Sequence, residues 1–184
     1  GETPRPDEAA GVVGAPFLRI MELPPLPGAE TDERPFAVVA AEPWRAMRVF
    51  AGADETALTA RADVAQPADV GQLVEPLAAG LPYRWDEANV LVVRVEGRAP
   101  ESGSVAAVLG GANTVAVETA ERWELVQFRE AALVGDDVWR LSGLLRGQQG
   151  TETAMGAEAG AVCVFVGPGL TRAASPTGER GLPL

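Results

Sequence analysis

The sequence contains no histidine and no lysine, and it has a single cysteine. Without histidine no imidazole is available as general base, proton shuttle or metal ligand, which leaves carboxylates as the remaining route to acid–base chemistry. Without lysine a Ser–Lys nucleophile pair is excluded as well. One thiol can neither close an intramolecular disulfide nor build a multi-thiolate zinc site. That thiol, Cys163, stands in the apolar run 161–166, where a buried and inert side chain is expected. Long hydrophobic runs are missing too: none approaches the roughly 20 residues that span a bilayer, so no membrane insertion is expected.

Charge is lopsided. All 15 basic residues are arginines against 26 acidic ones, a net charge of −11 at pH 7. Such a surface repels phosphate backbones and anionic lipid, so no nucleic-acid partner is expected. The opening residues are acidic and proline-rich, opposite in charge to the start of a secretory signal. A first residue of glycine reads as a fragment of a longer polypeptide.

What is present suits short strands. A hydrophobic fraction of 47% supports one core or two small lobes. Residues 1–13 read as a linker, 14–168 as a β-rich domain with a possible lobe boundary at 97–104, and 169–184 as a loose tail. Strands are expected at 16–23, at 36–41 and 46–51 as a hairpin, at 57–64, and at 70–74 with Gly71 inviting a bulge. The stretch 89–96 is apolar enough to suggest burial on both faces. Further strands follow at 114–118, 122–128, 131–134, 138–142 and 162–166. Gly135-Asp136-Asp137 supplies hairpin-turn chemistry. Helical periodicity is confined to about two turns near 153–159. The expected fold class is all-β, an antiparallel barrel or sandwich of short strands with little helix.

Few residues invite chemistry. Asp86 with Glu87, or Asp136 with Asp137, offers paired carboxylates. Adjacent acids on a strand point to opposite faces, so turn formation is the simpler reading of both pairs. Gly110-Gly111-Ala112-Asn113 reads as a tight turn rather than a phosphate loop. Trp44, Trp85, Trp123 and Trp139 are either core anchors or a sugar-stacking surface, and Trp123 and Trp139 are expected to share one cluster. The segment around Arg146 is more distinctive. Gly147 and Gly150 let the chain reverse sharply, leaving the Arg146 guanidinium, read as exposed at the turn, to grip carbonyls or a carboxylate. It either pairs internally with an acid such as Glu152 or Glu124 or pins a neighbouring subunit or domain. Thr151 with Glu152 is placed to cap the next turn. No catalytic residue, cofactor-binding residue or metal ligand is assigned, and no enzyme activity is expected. Trp139, Arg146, Gly147, Gly150, Thr151 and Glu152 are the candidate interaction or structural-turn residues.

Gly111-Ala112-Asn113, the strand Trp123-Glu124-Leu125-Val126-Gln127-Phe128-Arg129-Glu130-Ala131, and the run from Trp139 through Leu144-Leu145-Arg146-Gly147 to Gly150-Thr151-Glu152 occur in a recognisable order. Together they resemble the C-terminal part of the phage tail-tip, or host-specificity, protein of gene transfer agents and related siphophages. The likeness is close over about 45 residues and looser from Phe17 to Val95. It implies a structural component of a baseplate hub in a virion-like tail, assembled in the bacterial cytoplasm. Its implied partners are other domains of the same long chain and other tail proteins. A carbohydrate-binding β-sandwich contacting host surface glycan is the alternative. Gln148 and Gln149 stand where the family usually has a basic residue, and the histidine that usually follows Gly-Thr-Glu is missing. The resemblance therefore carries over no functional residue.

Overall fold

The computed structural model describes residues 15–174; the expected linker 1–13 and the residues of the tail beyond 174 lie outside the described residues. In chain order the strands are β1 (Phe17–Met21), β2 (Phe36–Ala40), β3 (Met47–Ala51), β4 (Thr59–Val64), β5 (Val70–Leu73), β6 (Trp85–Asp86), β7 (Leu91–Glu96), β8 (Thr114–Glu118), β9 (Trp123–Gly135), β10 (Val138–Leu145), β11 (Val162–Phe165) and β12 (Leu170–Arg172). Among the described residues there is one α-helix, the short α1 (Val105–Leu109), which joins β7 to β8. The expectation of an all-β antiparallel fold with little helix is met.

Six strands close on themselves. The order β10-β7-β5-β11-β8-β9 is completed by β9 returning to pair with β10, and every pairing is antiparallel. Closure removes the free edges that an open sheet of these strands would leave. Alternation along the strands, reset in β10 at Gly143 (φ +62°) between Leu141 and Leu144, fills the inside with Leu73, Leu91, Val93, Val115, Val117, Val126, Phe128, Leu141, Leu144 and Cys163. Phe128 meets Phe165 edge-on, with ring centroids 6.4 Å apart. The segment 97–104 joins two strands of this one barrel.

A second layer covers one flank. The three-stranded sheet β1-β2-β12 packs Met21, Phe36 and Val38 against Ala116, Leu125, Val162 and Val164 on the outside of the barrel. The β3–β4 hairpin covers the far side of β2, where Ala37 and Val39 meet Val49, Ala62 and Val64. Strand β2 thus lies between two layers and buries both of its faces.

Several expectations are corrected. The stretches 36–41 and 46–51 do not pair: β2 bonds to β1 and β12, and β3 to β4. A strand apolar on both faces is stabilised by insertion between layers, which sequence proximity to β3 cannot offer. Strand β7 buries only Leu91, Val93 and Val95, because its other face looks out of a barrel wall uncovered at that point. Gly71 marks no bulge. Its register is continuous on both sides, and a Cβ there would lie 2.4 Å from the Arg94 carbonyl oxygen and 2.8 Å from Val93 Cγ2. Close strand approach inside the barrel is what requires glycine.

The helical turns expected at 153–159 reduce to a 3₁₀ turn at Glu152–Ala154, while α1 arises at Val105–Leu109, a stretch for which the sequence predicts no element. There Ser104 starts the helix by accepting from the Ala107 N–H at 3.2 Å. The tail is not loose over its first residues. Strand β12 pairs with β2, and Ala173 is 3% exposed in the layer beneath the hairpin. Trp123 and Trp139 do not share a cluster, since Trp123 faces the outer sheet and Trp139 packs on the barrel interior.

Candidate functional site

Strand β9 carries Glu124 into the barrel by alternation, and Arg146, the residue that follows β10, enters it after the phase change at Gly143. Glu124 shares the inward parity of Val126 and Phe128, and Arg146 that of Leu144, which pairs with Phe128. At that end the two charges meet, both side chains 0% exposed. Arg146 Nε donates to Glu124 Oε1 at 2.7 Å and Nη2 donates to Oε2 at 3.0 Å, a two-pronged pair. Nη1 donates to the Ala78 carbonyl at 2.8 Å and to Asp86 Oδ2 at 3.2 Å. The Gly147 N–H adds a bond to Glu124 Oε1 at 3.2 Å.

Internal pairing of Arg146 with an acid is therefore the reading met, while its expected exposure at the turn is corrected. Inside a dry barrel a guanidinium persists only when carboxylates and carbonyls meet its donors, and here they do. Of the two acids considered as partners, Glu124 is the one used. Glu152 instead accepts from the Tyr83 hydroxyl at 3.3 Å.

Asp86 is the residue that sequence reasoning missed as a partner. It is held by a local turn, accepting from the Ala88 N–H at 3.2 Å, the Asn89 N–H at 3.0 Å and the Asn89 side-chain amide at 2.8 Å. Burial acts to raise its pKa, but those Asn89 and Ala88 donors together with Arg146 outweigh it and hold the carboxyl below its ordinary value. The Asp-x-x-Asn spacing was a visible turn signal. Nothing in sequence marked Gly80, where a Cβ would lie 2.4 Å from Asp86 Oδ2 and 2.9 Å from Arg146 Nη1.

The glycine-bracketed turn behaves as a clasp. Gly147 has φ +59°, and a Cβ there would lie 2.6 Å from Glu152 Cα. Gln149 at φ +55° and Gly150 at φ +81° complete the reversal. Thr151 does not cap the following turn. Its hydroxyl donates to the Gln148 carbonyl at 2.8 Å and accepts from the Leu125 N–H at 2.9 Å, stitching the turn to β9.

Five of the six candidates thus form one turn around the ion pair, while Trp139 lies elsewhere, half-buried on the barrel interior. The carboxylate pairs do not converge. Asp86 is buried, whereas Glu87 is exposed and 3.6 Å from Arg129. Asp136 and Asp137 form the β9–β10 turn, Asp137 at φ +56°. Gly110 to Asn113 is a turn into β8, preceded rather than followed by a helix. Among the described residues no group of three or more Cys, Asp or Glu side chains is arranged to hold a metal ion.

Fold and site together define a closed six-stranded barrel whose end is locked by a buried arginine–carboxylate cluster. The chain belongs to the family described as Rcc01698-like, C-terminal, whose model matches residues 68–166, over half of its length. That span holds every barrel strand and the whole clasp, whereas β1 to β4 and β12 lie outside it. A search among curated proteins finds no match.

Proposed function

We propose that this chain is a structural domain of a phage-like, gene-transfer-agent tail tip, acting by packing against other domains and tail proteins. The observation that carries the reading is the fate of the Leu-Leu-Arg-Gly turn on which the resemblance rests. Its guanidinium, the facing Glu124 and the Thr151 hydroxyl are all spent on internal bonds, so the motif specifies a shape. A domain whose most distinctive residues lock its own barrel presents a rigid wall to neighbours.

Gold-labelled antibody against this domain, applied to purified particles, tests the reading by electron microscopy. Label concentrated at the distal end of the tail is the expected result. Label on the capsid, or particles with intact tails and none of this protein, would overturn it.

A further inference from the structure

The covered flank of the barrel leaves the opposite one bare. None of the residues packed against the outer sheet comes from β7 or β10. On that bare wall the outward positions include Gln72 on β5 and Val74 after it, Val92, Arg94 and Glu96 on β7, and Val138 and Arg140 on β10, so Glu96 stands two residues from Arg94 on the same face. Register places Arg140 opposite Val92, and Val138 opposite Arg94. The two arginines are therefore diagonal neighbours set among valines. Val74 is 42% exposed, and Val134 at the bulged end of β9 is 56% exposed. Among the described residues neither Arg94 nor Arg140 has an ion pair or side-chain hydrogen bond. In a chain of net charge −11, these two arginines put two cations without ion pairs side by side among valines on one sheet face.

The complementary surface is on the same chain. The tip of the β3–β4 hairpin, residues 52–57, is exposed throughout and carries Asp54 and Glu55. Asp54 Oδ1 accepts from Thr56 and Ala57 within the turn, which leaves its Oδ2 and the Glu55 carboxylate to face a partner. Phe50 and Leu58 flank it at 51% and 52% exposure. An apolar groove lined by Met47, Phe50 and Val64 continues that surface along β3. One surface is valine with arginine, and the other is phenylalanine and leucine with carboxylates.

We propose that the acidic hairpin tip of one copy docks on the Arg94–Arg140 wall of a second copy. This rests on reading the domain as a packing module and names the partner as the chain itself. The two surfaces differ, so the contact is heterologous and builds a ring, a row or a reciprocal pair. Burial of the apolar residues supplies attraction, and the charges set orientation and salt dependence.

Sedimentation of the 184-residue chain across a concentration series tests the proposal. Reversible association that weakens with added salt is expected. Arg94→Glu with Arg140→Glu should weaken it by about tenfold or more, and adding Glu55→Arg, which leaves the Asp54 turn bonds in place, should recover part of it. These positions are exposed, and unchanged thermal melting of each variant checks that folding is intact. A chain that stays monomeric at every concentration overturns the proposal. So does association indifferent to the arginine reversals, or a charge swap that restores nothing. None of these results bears on where the domain sits in a particle, which the antibody labelling decides separately.

Discussion

Replacing Arg146 with methionine should cost about 3–5 kcal/mol of stability, the range for breaking a buried ion pair from one side. The magnitude follows from what is left behind. Glu124, 0% exposed, would lose bonds of 2.7 and 3.0 Å and keep only the Gly147 N–H at 3.2 Å. The Ala78 carbonyl would lose its donor at 2.8 Å. Asp86 would be spared, because Ala88 and Asn89 continue to donate to it. Removing Glu124 as well, as Arg146→Met with Glu124→Leu, takes away the stranded charge. The double variant should then be more stable than Arg146→Met alone, short of wild type by about 1–3 kcal/mol for the unmatched Ala78 and Gly147 groups. Urea unfolding followed by tryptophan fluorescence measures both, as a shift in midpoint at constant slope. A single-variant loss below about 1 kcal/mol would refute the reasoning, because the charges could not then be dry. Equal to it in weight would be a double variant whose loss is the sum of the two singles, since residues in direct contact couple.

Three further outcomes are expected. Gly147→Ala should lower the melting temperature more than Gly150→Ala. Both positions have positive φ, which alone costs about 1–2 kcal/mol, but only at Gly147 does a Cβ collide, 2.6 Å from Glu152 Cα; equal losses would contradict the clasp. Because Asp86 has its folded-state pKa held below the unfolded value of 3.8, its stabilisation is complete above that pH and is lost as pH falls through the lower folded value. Asp86→Asn should accordingly flatten the acid limb of the stability profile, and an unchanged limb in urea titrations would show that the carboxyl is not specifically held. The Cys163 thiol is pushed up to about 12 by burial, with Glu118 adding to the effect. A thiol reagent at mildly alkaline pH should therefore leave the folded chain unlabelled and modify one equivalent after denaturation, whereas rapid labelling of the native protein would place the thiol outside the core.

Period-two alternation and turn chemistry are local properties, and they made much of the barrel legible in the sequence. Strand β8 was expected at 114–118, where it lies, and the Gly135-Asp136-Asp137 turn joins β9 to β10 as its residues require. The absence of histidine and the apolar setting of Cys163 were equally plain before any fold was considered. Partner choice between distant segments was not legible. That 36–41 would sit between β1 and β12 depends on which layer buries each of its faces, and no local signal encodes that. The same holds at the clasp. Gly147 and Gly150 announced a reversal, but only closure of the barrel turns Arg146 inward and brings Glu124, Asp86 and Ala78 from 22, 60 and 68 residues away to meet it. Local sterics and hydrophobic period act over a few residues and write the strands. The sign and depth of a charge's environment are set by the whole folded wall around it, and that is what tertiary structure decided here.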